Sequence, residues 1–112
     1  MTLVTSLADE ASMDIELLKA IKSQGDNWSI ARNLEFMMET KSKNNAEKAA
    51  SFIQNNQFGE TKILEVGGLY VLMVFVEMPL HVNAVLSVSG FMTCIADMFN
   101  LKGTGWAANV QK

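Results

Sequence analysis

The stretch Glu60–Met78 reads ETKILEVGGLYVLMVFVEM, and it decides the fold. Two runs rich in β-branched and aromatic residues flank Gly67-Gly68. Paired glycines tolerate the positive φ that a two-residue hairpin turn demands. The run from Leu69 to Val76 is apolar on both faces, as expected of a central strand covered on both sides. The run before the turn alternates and carries Glu60, Lys62 and Glu65. Such charges oppose further pairing and suit an edge. The pattern predicts an antiparallel hairpin with one edge strand and one central strand.

Upstream, KSKNNAEKAASFIQNNQFG (41–59) reads as a helix. Asn44 is placed to cap it and Glu47, three residues on, to reach back in a capping box. Ala46, Ala49, Ala50 and Ile53 form a small-residue face, Phe52 adds bulk beside it, and Gly59 suits a left-handed exit. Before it, GDNWSIARNLEF (25–36) turns into a strand expected from Ser29 to Glu39. Ile30, Arg32, Leu34, Phe36 and Met38 share one face. An arginine in an apolar phase demands a partner. The expectation is a packed aliphatic stem with the guanidinium paired to a carboxylate, Glu77 or Asp97 being the candidates. Earlier still, Ile15, Leu18 and Ile21 recur at helical spacing from about Asp14, and Gly25 ends that helix.

Downstream, Pro79 cannot continue the strand and fits the approach to a helix. From Val82 to Phe99, two stripes make an unusually broad apolar arc. Asn83, Ser87, Gly90, Cys94 and Asp97 form the narrow polar face. TGWAANVQK (104–112) reads as a short last strand. The order is a helix followed by β-α-β-β-α-β. This predicts an α+β, ferredoxin-like sandwich with a four-stranded antiparallel sheet, an extra N-terminal helix, and the first and third strands in the middle. The two helices cover one face of the sheet. The N-terminal helix is expected to cover part of the other, with a second subunit or a partner covering the rest.

The 112 residues make one domain, 1–112, with 1–13 expected as a loosely ordered lead-in. Net charge is −3, and the nine Lys and Arg are scattered, so the footprint of direct nucleic-acid binding is missing. The N-terminus lacks the basic start and apolar run of a signal peptide. The nearly uncharged run Met78–Ala96 has the length of a membrane span. It also holds Pro79, His81, Asn83, Ser87, Ser89 and Thr93, which suit a buried helix better. A soluble, cytoplasmic protein is expected.

Catalytic signals are sparse. His81, the only histidine, has no nucleophile or carboxylate placed beside it by the sequence. Cys94 is the only cysteine and has no cationic partner at helical spacing, so it reads as a structural thiol. Carboxylates show neither HExxH nor EF-hand spacing, and Gly67-Gly68 joins two strands, unlike a phosphate loop. The expectation is no enzyme, no cofactor and no metal. Trp28 and Trp106 both read as lying at strand starts, and are expected at opposite ends of the sheet.

Three segments carry a resemblance. GDNWSIARNLEF, AEKAASFIQNNQFG and GTGWAANV (103–110) resemble the first-strand, alanine-helix and C-terminal Gly-Trp motifs of the bacterial ribonuclease E regulator B (RraB-like) family. The similarity runs from about Leu17 to Val110. Where that family commonly has Tyr-Asp before Gly-Trp, this chain has Gly103-Thr104. The resemblance implies an α+β sandwich and a small cytoplasmic binding protein that inhibits ribonuclease E and so modulates RNA processing. Asp26, Trp28, Arg32, Phe36, Gly105 and Trp106 are the structural or partner-contact residues that it singles out. The other reading of the apolar central strand is a homodimeric ferredoxin-like module that binds a small apolar ligand or acts as a small oxygenase.

Overall fold

The computed structural model describes the backbone of residues 3–27 and 29–108, with side chains from Leu7 onward apart from Glu10. The elements are α1 (Leu3–Ser23), β1 (Arg32–Thr40), α2 (Lys43–Asn55), β2 (Glu60–Val66), β3 (Leu69–Met78), α3 (Val82–Met98) and β4 (Lys102–Ala107). The strands form one antiparallel sheet in the order β2-β3-β1-β4, so the first and third strands are central. This is the ferredoxin-like order that the element sequence predicts.

The hairpin forms as its turn chemistry requires. Gly67 and Gly68 take φ of +57° and +85°, and Val66 pairs with Leu69. Arg32, Leu34, Phe36 and Met38 of β1 all face the helices and are buried, as are Leu72 and Val74 of β3. Against them α2 lays Ala46, Ala49 and Ile53, whose small side chains let the helix lie close to the sheet. From α3 come Val85, Met92, Ile95 and Ala96. Apart from Arg32 and Ala46, these residues make one continuous hydrophobic core.

Several boundaries differ from the sequence reading. The cap of α2 is Ser42 in place of Asn44: its hydroxyl accepts the Asn45 N–H at 3.2 Å. Glu47 instead lies 3.9 Å from Lys43, one turn back. The left-handed residue that closes α2 is Gln57 (φ +58°), with Phe58 N–H donating to Ile53 O at 3.0 Å. Gly59 serves packing: a Cβ there would sit 2.8 Å from Phe75 O. Asn100 (φ +60°) closes α3 in the same way, with Leu101 N–H bonded to Ala96 O at 2.7 Å. β1 starts at Arg32, later than Ser29, because Asn27 and Ser29 close a turn of their own.

Helix α1 starts at Leu3, ahead of the apolar repeat that marks it from Asp14. It also packs elsewhere than expected. It lies along α3, on the helix side of the sheet, with Leu18 and Ile21 buried. The broad apolar arc of α3 thus serves two neighbours, the sheet and α1. The opposite sheet face is left without a cover from any described element. Its residues line up across the strands in register: Glu60, Phe75, Glu35 and Ala107 in one row, then Lys62, Met73, Met37 and Gly105, then Leu64, Val71, Glu39 and Lys102.

Candidate functional site

Two arrangements stand out, one buried and one on the surface. The buried one starts at Arg32. Its side chain is 4% exposed and donates from Nη1 to Asp26 Oδ1 at 2.5 Å. Nη2 donates to the carbonyls of Asn27 (2.7 Å) and Ile30 (3.0 Å), and Nε to Ile30 O at 3.2 Å. The guanidinium therefore gathers the backbone of the α1–β1 connection around itself, a geometry suited to its fixed fork of donors. The partner is Asp26, correcting the expectation of Glu77 or Asp97. Glu77 projects from the opposite sheet face beside Asn33, and Asp97 is exposed on α3.

Four residues along the same face of β1, Phe36 lies opposite Trp106 with ring centroids 6.5 Å apart. The tryptophan is near the end of β4, because the strand begins at Lys102, earlier than the sequence reading placed it. Its inward direction comes from a β-bulge. Met38 pairs with Gly103 and Met37 with Gly105, so Thr104 is an extra residue. Gly105, at φ +103°, supplies the conformation. If Thr104 took a place in the ladder and did not bulge out of it, strict alternation from Lys102 would turn Trp106 to the uncovered face.

Asp14 and Ser89 escaped the sequence reading. The Trp106 indole N–H donates to Asp14 Oδ1 at 2.8 Å, and all three side chains are buried. Burial pushes the Asp14 carboxyl above the usual carboxylate range, while hydrogen bonds from Ser89 and Trp106 pull it partly back. A signal was available. Asp14 precedes Leu18 by four and Ile21 by seven, and Ser89 lies between Val85 and Met92 at the same spacing, so both are polar residues in buried stripes. Of the residues singled out by sequence, Asp26 joins Arg32, and Phe36 joins Gly105 and Trp106. Trp28 lies outside the described residues.

The surface arrangement is the uncovered face. Around Phe75 stand Glu35 and Glu60, its register partners on either side, and Glu77 two residues along β3. β2 reaches no further than the Phe75 pair, so Val76–Met78 extend beyond it. There an open groove of about 870 Å³ wraps the sheet edge, lined in part by Gln54, Phe58, Glu60, Phe75 and Glu77. On the helix side Phe58 stacks edge-on against Phe91 at 4.9 Å. His81 is exposed at the start of α3 and makes no side-chain cap, and Cys94 is an exposed free thiol. Among the described residues, no three His, Cys, Asp or Glu side chains come together as a metal site requires, and no helix is long and apolar enough to cross a membrane.

No curated protein matches the sequence. The family described as RraB, regulator of ribonuclease activity B, matches residues 11–107, a span that takes in all four strands, α2, α3 and the half of α1 that carries Asp14. The chain belongs to the RraB family of regulators of ribonuclease activity.

Proposed function

We propose that the protein is a non-enzymatic regulator that binds ribonuclease E in the bacterial cytoplasm and restrains its cleavage of RNA. The observation that carries this reading is the family match over 11–107. In this reading Asp26, Arg32, Phe36, Gly105 and Trp106 hold the framework, which the sealed Arg32–Asp26 pair, the buried Phe36–Trp106 contact and the left-handed Gly105 support. Trp28 is kept as a candidate contact. The regulation is stoichiometric and needs no cofactor. The partner is engaged through surfaces other than the buried hub.

The test is to mix the purified protein with ribonuclease E and follow cleavage of a defined RNA. Slower cleavage and co-elution of the two proteins are expected. Absence of binding at tens of micromolar, weaker than about −6 kcal/mol, would sink the reading.

A further inference from the structure

We propose that the uncovered sheet face is the docking surface for an arginine-bearing, apolar segment of a partner protein, seated with a guanidinium over Phe75. The proposal rests on the reading that the chain acts by binding a protein, and it adds where and by what chemistry. Met37, Val71, Met73 and Phe75, with Leu64 beside Val71, make an apolar centre, and the polar side chains that border it in register are all charged: Glu35, Glu39, Glu60 and Lys62. Neighbouring strands lie about 4.8 Å apart. Glu35 and Glu60 therefore flank Phe75 at one strand spacing each, and Glu77 stands on the same face of its own strand.

None of these three carboxylates forms an ion pair within 4.0 Å among the described residues. Lys62 stands one row away beside Met73, and Lys102 is at the far end beside Glu39. An aromatic face ringed by unpaired carboxylates attracts a planar cation through its quadrupole and through bidentate hydrogen bonds together. The groove beside Phe75 and Glu77 gives a long side chain room to enter.

Charge also separates this occupant from a second copy. Four glutamates (35, 39, 60 and 77) stand against two lysines (62 and 102) on the face. Self-pairing would bring two net-negative surfaces together, whereas a basic segment neutralises the excess.

Methionine-methyl NMR reads this face directly, because Met37 and Met73 lie on it while Met38 and Met92 are buried references. The probes are three synthetic peptides of one apolar pattern whose polar positions are all arginine, all glutamine or all glutamate, together with ribonuclease E itself. The arginine peptide is expected to move the Met37 and Met73 signals and leave Met38 and Met92 in place. It should bind a Glu35→Gln, Glu60→Gln, Glu77→Gln variant at least about tenfold more weakly, as expected for charge-assisted contacts. The proposal is overturned if the glutamine peptide binds as tightly, if the triple variant is indifferent, or if the face methyls stay still. It is also overturned if those methyls move with protein concentration alone as a dimer forms. Should ribonuclease E bind while Met37 and Met73 stay unmoved, the face assignment falls and the ribonuclease reading stands. Should the arginine peptide seat as described while ribonuclease E does not bind, the face stands and the ribonuclease reading falls.

Discussion

Trp106 and Asp14, 92 positions apart, meet in a buried hydrogen bond of 2.8 Å between β4 and α1. The bond ties the first helix to the last strand, so the helix side closes at the sheet edge farther from the hairpin. It accounts for α1 lying along α3: there the buried Asp14 carboxylate meets the indole and the Ser89 hydroxyl.

Asp14 makes stability depend on pH in a stated direction. Its folded pKa lies above its unfolded value, so between the two the folded state binds the extra proton. Its contribution therefore grows as pH falls through that window and is lost as pH rises above it. Asp14→Asn keeps an acceptor for Trp106 and removes the buried charge. In urea unfolding the variant should be the more stable form at neutral pH, and the gap should close as pH approaches the ordinary Asp range, about 4. Asp14→Leu strands the indole N–H and should cost about 1–3 kcal/mol.

Arg32 and Asp26 form an ion pair almost sealed from water. Truncating one leaves the other charge buried, which typically costs about 3–5 kcal/mol. Arg32→Ala and Asp26→Ala should each lower the urea midpoint strongly. Arg32→Met with Asp26→Leu should recover part of the loss. Recovery stays partial because the carbonyls of Asn27 and Ile30 lose the donors that Arg32 supplies. A double-mutant cycle that shows full additivity would contradict the pairing.

What the sequence made legible follows how local each determinant is. The Gly67-Gly68 turn, the central place of β3 and the alanine face of α2 are written within a few residues, and each appears where it was expected, whereas the cover expected on both faces of β3 is found on one. Arg32 was legible as a buried cation but not its partner, since Asp26 lies in a loop whose path no periodicity describes. The cap of α2 slipped by two residues because Ser42 and Asn44 are both competent caps. The seat of α1 was hidden for a different reason. An apolar stripe states that a helix must be buried but not against what, and only the breadth of the α3 arc hinted at a second neighbour. The inward turn of Trp106 depends on one inserted residue, which alternation cannot see.

The bulge at Gly103–Gly105 is testable through Trp106. At φ +103° an L side chain is strained, so Gly105→Ala should cost about 1–3 kcal/mol even though a Cβ there would touch nothing within 4 Å. Deleting Thr104 removes the extra residue, so a regular ladder from Lys102 reaches Trp106 in the same inward phase, opposite Phe36. In a Trp28→Phe background, so that only Trp106 emits, the deletion variant should keep the blue-shifted fluorescence of a buried indole. A red shift in a folded deletion variant would show that Thr104 holds a place in the ladder and is not the residue that bulges out of it.

Phe58 and Phe91 tie the end of α2 to the middle of α3 at the surface, 38% and 41% exposed, with near-perpendicular rings (87°) 4.9 Å apart. The backbone of Phe58 is held there by the hydrogen bond from its own N–H to Ile53 O that closes α2, so forming the pair orders the side chains alone. Edge-to-face pairs contribute about 0.5–1.5 kcal/mol beyond their buried area. A cycle of Phe58→Leu and Phe91→Leu should therefore show coupling in that range by urea unfolding. Leucine keeps apolar bulk against Phe52, whose ring is 5.9 Å from that of Phe58, so the coupling reports the ring geometry alone. Coupling near zero would assign the two rings to separate packing against Phe52 and α3, with no bond between the helices through this pair.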